Sequence, residues 1–237
     1  SDIAQYVSFP VSDRSDWESI RDRLAADVVG RYRDGWIDEA QAASKRGIPV
    51  SVGMGHLCGF FSFLRELFGD EEVYYLLHDD PDLAREILEF QKNRMQKILS
   101  AVSVHVPVDR LFIWEDMCYK NGPLVSPQSF ESFFLRPYQE LIRHARSLDV
   151  PVVNVDSDGK VDELLPLWIE SGVNMMHPFE VQSGMEVSDV LRQFGAPFFI
   201  RGGIDKRELA KGRVAIDAEI DRIRPAFAPG RYLPTAD

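Results

Sequence analysis

Short apolar runs alternate with longer amphipathic ones along most of this chain, and Gly, Pro, Asp and Ser mark the changeovers. Runs of four to six mostly apolar residues predict strands over 48–52, 110–114, 150–155, 173–176 and 197–200. Between them, apolar residues recur at helical spacing. The opening stretch, 13–39, reads as surface helices carrying Trp17, Ile20, Leu24 and Val28, with Ser15 or Asp16 as cap. Further helices are expected over 57–68 and 71–78. Asp80-Pro81 supplies an N-cap and a proline at the first helical position for a long helix to about residue 102. A helix over 127–148 contains Pro137, which should kink or split it. Helices at 161–170 and 187–193 follow, and two more close the chain.

Strands of this kind, alternating with helices, predict a parallel sheet buried on both faces. The chain contains no low-complexity tract, flexible linker or charge block, so residues 1–237 read as one α/β domain. No Gly-x-Gly-x-x-Gly follows any strand, which leaves a dinucleotide fold without support. Five strand–helix units will not close an eight-stranded barrel: either three strands are hidden in the less regular N-terminal third, or the fold is an α/β barrel of TIM type, incomplete on its N-terminal side.

A hydrophobic fraction of 45% excludes disorder, and a formal net charge of −11 argues against nucleic acid or an anionic membrane as partner. No apolar run approaches the length of a membrane span, and residues 1–5 lack the basic and apolar parts of a signal peptide. Cys58 and Cys118 are the only cysteines and lack a pairing framework, which points to free thiols and a cytoplasmic location.

In a parallel sheet the C-terminal strand ends share one side, where sites are built. His56, Glu115, Asp116, Cys118, Asn154, Asp156, Asp158, His177, Glu180, Arg201 and Asp205 land there. Asp158 and Asp205 also fit as N-caps. Glu115 and Asp116 are adjacent acids that one cap cannot explain. If buried, one should have a raised pKa and could move a proton near neutral pH. Asp156, His177 and Glu180, from neighbouring strand ends, could hold a zinc-like ion, although their spacing matches no compact metal motif. Gly202 and Gly203 allow close backbone approach to a ligand beside Arg201, or serve the turn alone. No Gly-x-Ser-x-Gly elbow appears, which disfavours nucleophilic hydrolysis.

Read in order, the stretches 112–117, 119–127, 155–159, 202–206 and 230–234 resemble the uroporphyrinogen decarboxylase superfamily, over about residues 9–237. The resemblance implies a (β/α)8 barrel. It also implies one of two chemistries, cofactor-free decarboxylation of a porphyrinogen or zinc-dependent methyl exchange with a corrinoid. Departures from the pattern matter. Asp116 stands where the decarboxylases carry a serine, and Phe60-Phe61 where they carry a tyrosine. Asn154-Val155-Asp156 stands where the methyltransferases carry a His-x-Cys pair. The decarboxylases' paired arginines and essential aspartate would precede Ser1, and a late histidine would follow Asp237, so a truncated or partial copy is expected.

The reading favoured is methyl transfer of the corrinoid-linked type, with a small-molecule substrate and a corrinoid protein as partner. Decarboxylation of uroporphyrinogen or a related aryl or pyrrole acid is the alternative, and a non-catalytic barrel remnant whose open sheet edge invites a homodimer is a further one. The expected catalytic groups are Glu115, Asp116, Asp156 and His177. The expected substrate contacts are His56, Phe61, Tyr119, Arg201, Gly202 and Gly203. Asp156, His177 and Glu180 are the expected ligands of a zinc ion.

Overall fold

The computed structural model describes residues 7–25, 30, 32–53, 58–195, 197–228 and 230–236. Among the described residues there are eight strands: β1 (Ser51–Val52), β2 (Arg110–Trp114), β3 (Cys118–Tyr119), β4 (Gly122–Pro123), β5 (Val152–Asp156), β6 (Met175–His177), β7 (Phe199–Ile204) and β8 (Tyr232–Ala236). Six of them form one sheet in the order β1-β2-β5-β6-β7-β8, with every neighbouring pair parallel. β3 and β4 make a small antiparallel hairpin just after β2. The architecture is α/β, with a parallel sheet that, among the described residues, has β1 and β8 at its edges, in the manner of a partial TIM-type barrel.

Strand periodicity sorts the side chains onto two faces. Leu111, Ile113, Val153, Val155, Met176 and Ile200 are at most 2% exposed and lie in the same core cluster as the helix residues Ile87, Leu99, Tyr138 and Trp168. Each such burial stabilises the fold by roughly 1.5–3 kcal/mol. The alternate face carries Arg110, Phe112, Trp114, Asn154, Asp156, Met175, His177, Phe199 and Arg201. It is far less covered, with Phe199 38% and Leu233 53% exposed. This face is the concave one in a barrel.

The long helix Pro81–Ser103 starts as expected: Asp80 accepts from the Leu83 N–H at 3.0 Å, and Pro81 occupies the first turn. The first helix, Arg14–Ala25, is capped differently from expectation. Asp13, rather than Ser15 or Asp16, accepts from the amides of Ser15 and Asp16. The expected split near Pro137 is present, but it falls before the proline. Phe130–Phe134 form a π-helical turn between Pro127–Ser129 and the helix Leu135–Ser147. Pro137 has no N–H and crowds the carbonyl of the residue four before it, Phe133, so the widened turn sits where the α-helical bond would fail.

Two expectations are corrected. β7 runs on to Ile204, so Arg201, Gly202 and Gly203 belong to the strand and not to a turn after it. The chain also ends differently: after the helices Lys206–Leu209 and Arg213–Ile223 it adds a sixth sheet strand, β8. Among the described residues no helix is long and apolar enough to cross a membrane.

Candidate functional site at the C-terminal ends of the strands

β2 and β5 pair through to Trp114 and Asp156. Beyond that point the amides of Glu115 and Asp116 both reach the Asp156 carbonyl, at 2.8 and 3.4 Å. Asp116 then takes a left-handed φ of 48°. The ladder therefore ends with Asp116 and Asp156 side by side, and Asp158 joins them. One carboxylate oxygen from each of Asp116, Asp156 and Asp158 lies within 4.8 Å of the other two, and this is the group among the described residues with metal-ligand spacing. Asp158 thus stands in this cluster instead of capping a helix. Asp205, in contrast, is an N-cap as expected, accepting from the Arg207 N–H at 2.9 Å.

His177 ends β6, beside Asp156 in register. Its Nε2 lies 3.4 Å from Asp156 Oδ2, and its Nδ1 lies 3.0 Å from Asn154 Nδ2. The Asn154 amide nitrogen also donates to the Val155 carbonyl at 2.9 Å, which fixes the amide's orientation. Nδ1 therefore accepts, and the imidazole proton belongs on Nε2, pointing at Asp156. Burial, then the positive charges of Arg201 and Arg110, lower the His177 pKa to about 4. At neutral pH the imidazole facing Asp156 is accordingly uncharged, and the contact is not an ion pair.

Glu115 departs from its expected catalytic place. It is 0% exposed and accepts from the amides of Phe60 (2.8 Å), Phe61 (2.8 Å) and Ser62 (3.3 Å), and from the Tyr138 hydroxyl. Burial pushes its pKa up to about 7, offset in part by Tyr138 and the amides. A raised pKa was the expectation for one of the two acids if buried, and burial is its cause here, but the carboxyl anchors the start of the helix Phe61–Phe68 inside the core, away from the open face. Phe61 is likewise 0% exposed, packed edge-on to Phe134, and so is placed as a core residue and not as a substrate contact.

Gly202 has φ 120°, and a Cβ there would lie 1.4 Å from the Pro178 carbonyl oxygen. A Cβ on Gly203 would meet Val187 at 2.2 Å. The close approach that these glycines permit is to the protein's own backbone and core, not to a ligand. Glu180 accepts from the Gly159 N–H at 2.9 Å and holds the loop bearing Asp158, and it is not a member of the clustered acids. Tyr119 is 61% exposed on the β3–β4 hairpin, and its carbonyl accepts from the Lys160 N–H at 3.0 Å, so the hairpin is clamped to the loop bearing Asp158. Cys118 is buried, with its thiol pushed up to about 12, mainly by desolvation. His56 lies outside the described residues.

The expected zinc set does not fit. Zinc favours nitrogen and sulfur donors. Here Glu180 is committed to Gly159, and neither Glu180 nor His177 belongs to the group of acids that converge. The acids that do converge offer oxygen alone, which suits a hard divalent ion or a cationic group. Residues that the sequence reading passed over include Arg110 at the start of β2 and Ser157, whose hydroxyl accepts from the Met117 N–H at 3.1 Å. The trace of Arg110 was a charged residue in period with Phe112 and Trp114 on an otherwise apolar strand.

No protein-family model matches the chain, and no curated protein matches it by sequence. Among the 17 solved chains that do match in structure is a methyltransferase from Methanosarcina mazei. The TM-score is 0.67 at 20% sequence identity, over 89% of this chain and 60% of that one. The present chain thus spans less than two thirds of that protein's length, and what the two share is the fold.

Proposed function

We propose that this protein is an enzyme acting on a small molecule at the C-terminal face of its partial barrel, by methyl transfer of the corrinoid-linked type found in the uroporphyrinogen decarboxylase superfamily. The observation that carries the reading is the meeting of Asp116, Asp156 and Asp158 with a neutral His177 at adjoining strand ends. The shared fold with a methyltransferase is compatible with it.

In such a transfer the methyl leaves its donor without the bonding pair, and the acceptor's lone pair forms the new bond. A thiol or hydroxyl acceptor must lose its proton. Asp156 is the group placed to take that proton, and the Nε2–H of His177 holds the carboxylate in position. Asn154 keeps His177 in the donating tautomer. Asp116 and Asp158 add carboxyl groups beside Asp156, a setting that attracts a cationic donor group. A methylcorrinoid enters here as a substrate, the source of the methyl group.

The test is methyl loss from methylcobalamin in the presence of a thiol, followed by its visible spectrum. Asp156→Asn should slow the reaction by about 100-fold or more, and His177→Gln by less, since general-base catalysis contributes ~10²–10⁴-fold. Wild-type protein that leaves methylcobalamin untouched but releases carbon dioxide from uroporphyrinogen would replace this reading with decarboxylation.

A further inference from the structure

The concave face holds two arginines that the reaction above does not use. Arg110 opens β2 and Arg201 is the third residue of β7, and strand period puts both on the face of Phe112, Asn154, Asp156 and His177. Arg110 is held in orientation: its Nε donates to Ser51 Oγ at 3.0 Å, and its guanidinium lies 5.4 Å from the Phe112 ring centroid. Its two terminal nitrogens remain uncommitted among the described residues.

The chain has 38 acidic and 27 basic residues, and most arginines find a carboxylate. Arg14 meets Glu86, Arg207 meets Asp205, and Arg222 meets Glu186 and Glu219. Among the described residues no carboxylate pairs with Arg110 or Arg201. The Phe112 ring lies between the Arg110 guanidinium and the His177 ring, 5.4 and 5.5 Å from them, and the β6–β7 register (Met176 opposite Ile200) sets Arg201 beside His177, so the two cations share one region of the face. Like charges there, half buried, repel each other, and an anion between them removes the repulsion. A guanidinium fixed in its plane is also preorganised for a forked bond to an oxyanion.

We propose that Arg110 and Arg201 together hold the anionic end of the substrate, a carboxylate, sulfonate or phosphate, on the concave face. This deepens the methyl-transfer reading and rests on it only for the claim that this face is the active one. The orientation of the ligand follows. Asp116, Asp156 and Asp158 repel an anion, so the charged end lies on the arginines and the reacting end, neutral or cationic, faces the acids and His177.

The experiment is an NMR titration of the arginine side-chain N–H signals with acetate, methanesulfonate and inorganic phosphate. It uses wild-type protein, Arg110→Gln, Arg201→Gln and Arg110→Lys, with the exposed Arg143→Gln as control and thermal midpoints as the check on folding. At least one anion should bind the wild type, and the one that binds best names the substrate's acid group. Affinity should fall about tenfold in each Gln variant, as loss of a charge-assisted hydrogen bond predicts, with partial recovery in Arg110→Lys and no change in Arg143→Gln. Absence of binding by all three anions, or equal binding by folded Gln variants, overturns the proposal. Methyl transfer without anion binding would sink the arginine pair alone. Anion binding lost in both Gln variants, with no methyl transfer by the wild type, would sink the reaction alone.

Discussion

At Trp114 the strand ends, and the next two side chains go opposite ways. Glu115 turns into the core, where three amides and Tyr138 surround it, while Asp116 turns out to meet Asp156 and Asp158. A sequence shows two adjacent acids but not the backbone turn between them, so Glu115 reads as catalytic until its partners are seen. Its pKa gives a test. The folded value, about 7, lies above the ordinary 4.5, so the folded state binds the proton more tightly than the unfolded chain. The stabilisation is therefore complete below pH 4.5 and is lost as pH rises through about 7. At ~1.4 kcal/mol per unit, that span amounts to ~3 kcal/mol. Urea unfolding should show the wild type losing this much between the two pH values relative to Glu115→Gln. Parallel curves for the two proteins would refute the assignment.

At the scale of elements, the apolar runs between 110 and 200 located β2, β5, β6 and β7 to within a few residues, because buried parallel strands must be nearly continuous in apolar residues. β8 escaped notice for the same reason in reverse. It is an edge strand with Pro234 inside it and Leu233 half exposed, so it carries no apolar run. Arg231, just before β8, donates to the carbonyls of Phe198 and Leu191 at 3.0 and 3.1 Å. The motif around it therefore has a structural explanation, tying β8 to the end of the helix Val187–Phe194. The paired glycines of β7 were visible but their purpose was not, since the neighbour that demands Gly202 is the distant Pro178 carbonyl. Gly202→Ala should destabilise the fold by about 3 kcal/mol or more, in the range of overpacked or strained sites. A thermal midpoint within a degree or two of wild type would show that β7 can yield.

For the whole molecule, the parallel α/β architecture was legible in the alternation of runs, and so was the placing of Asp116, Asp156 and His177 on one side, because parallel strands end together. Which acids would meet was not legible. That depends on where the ladder stops and on loop contacts such as Glu180 with Gly159. The central claim is that a small molecule binds at the C-terminal ends of β2, β5 and β6. Hydrogen–deuterium exchange with and without methylcobalamin tests it most directly. The account predicts slowed exchange in 114–119, 156–160 and 177–180, with 83–103 and 138–147 unchanged. Protection confined to those two helical stretches, with the strand ends unaffected, would contradict it.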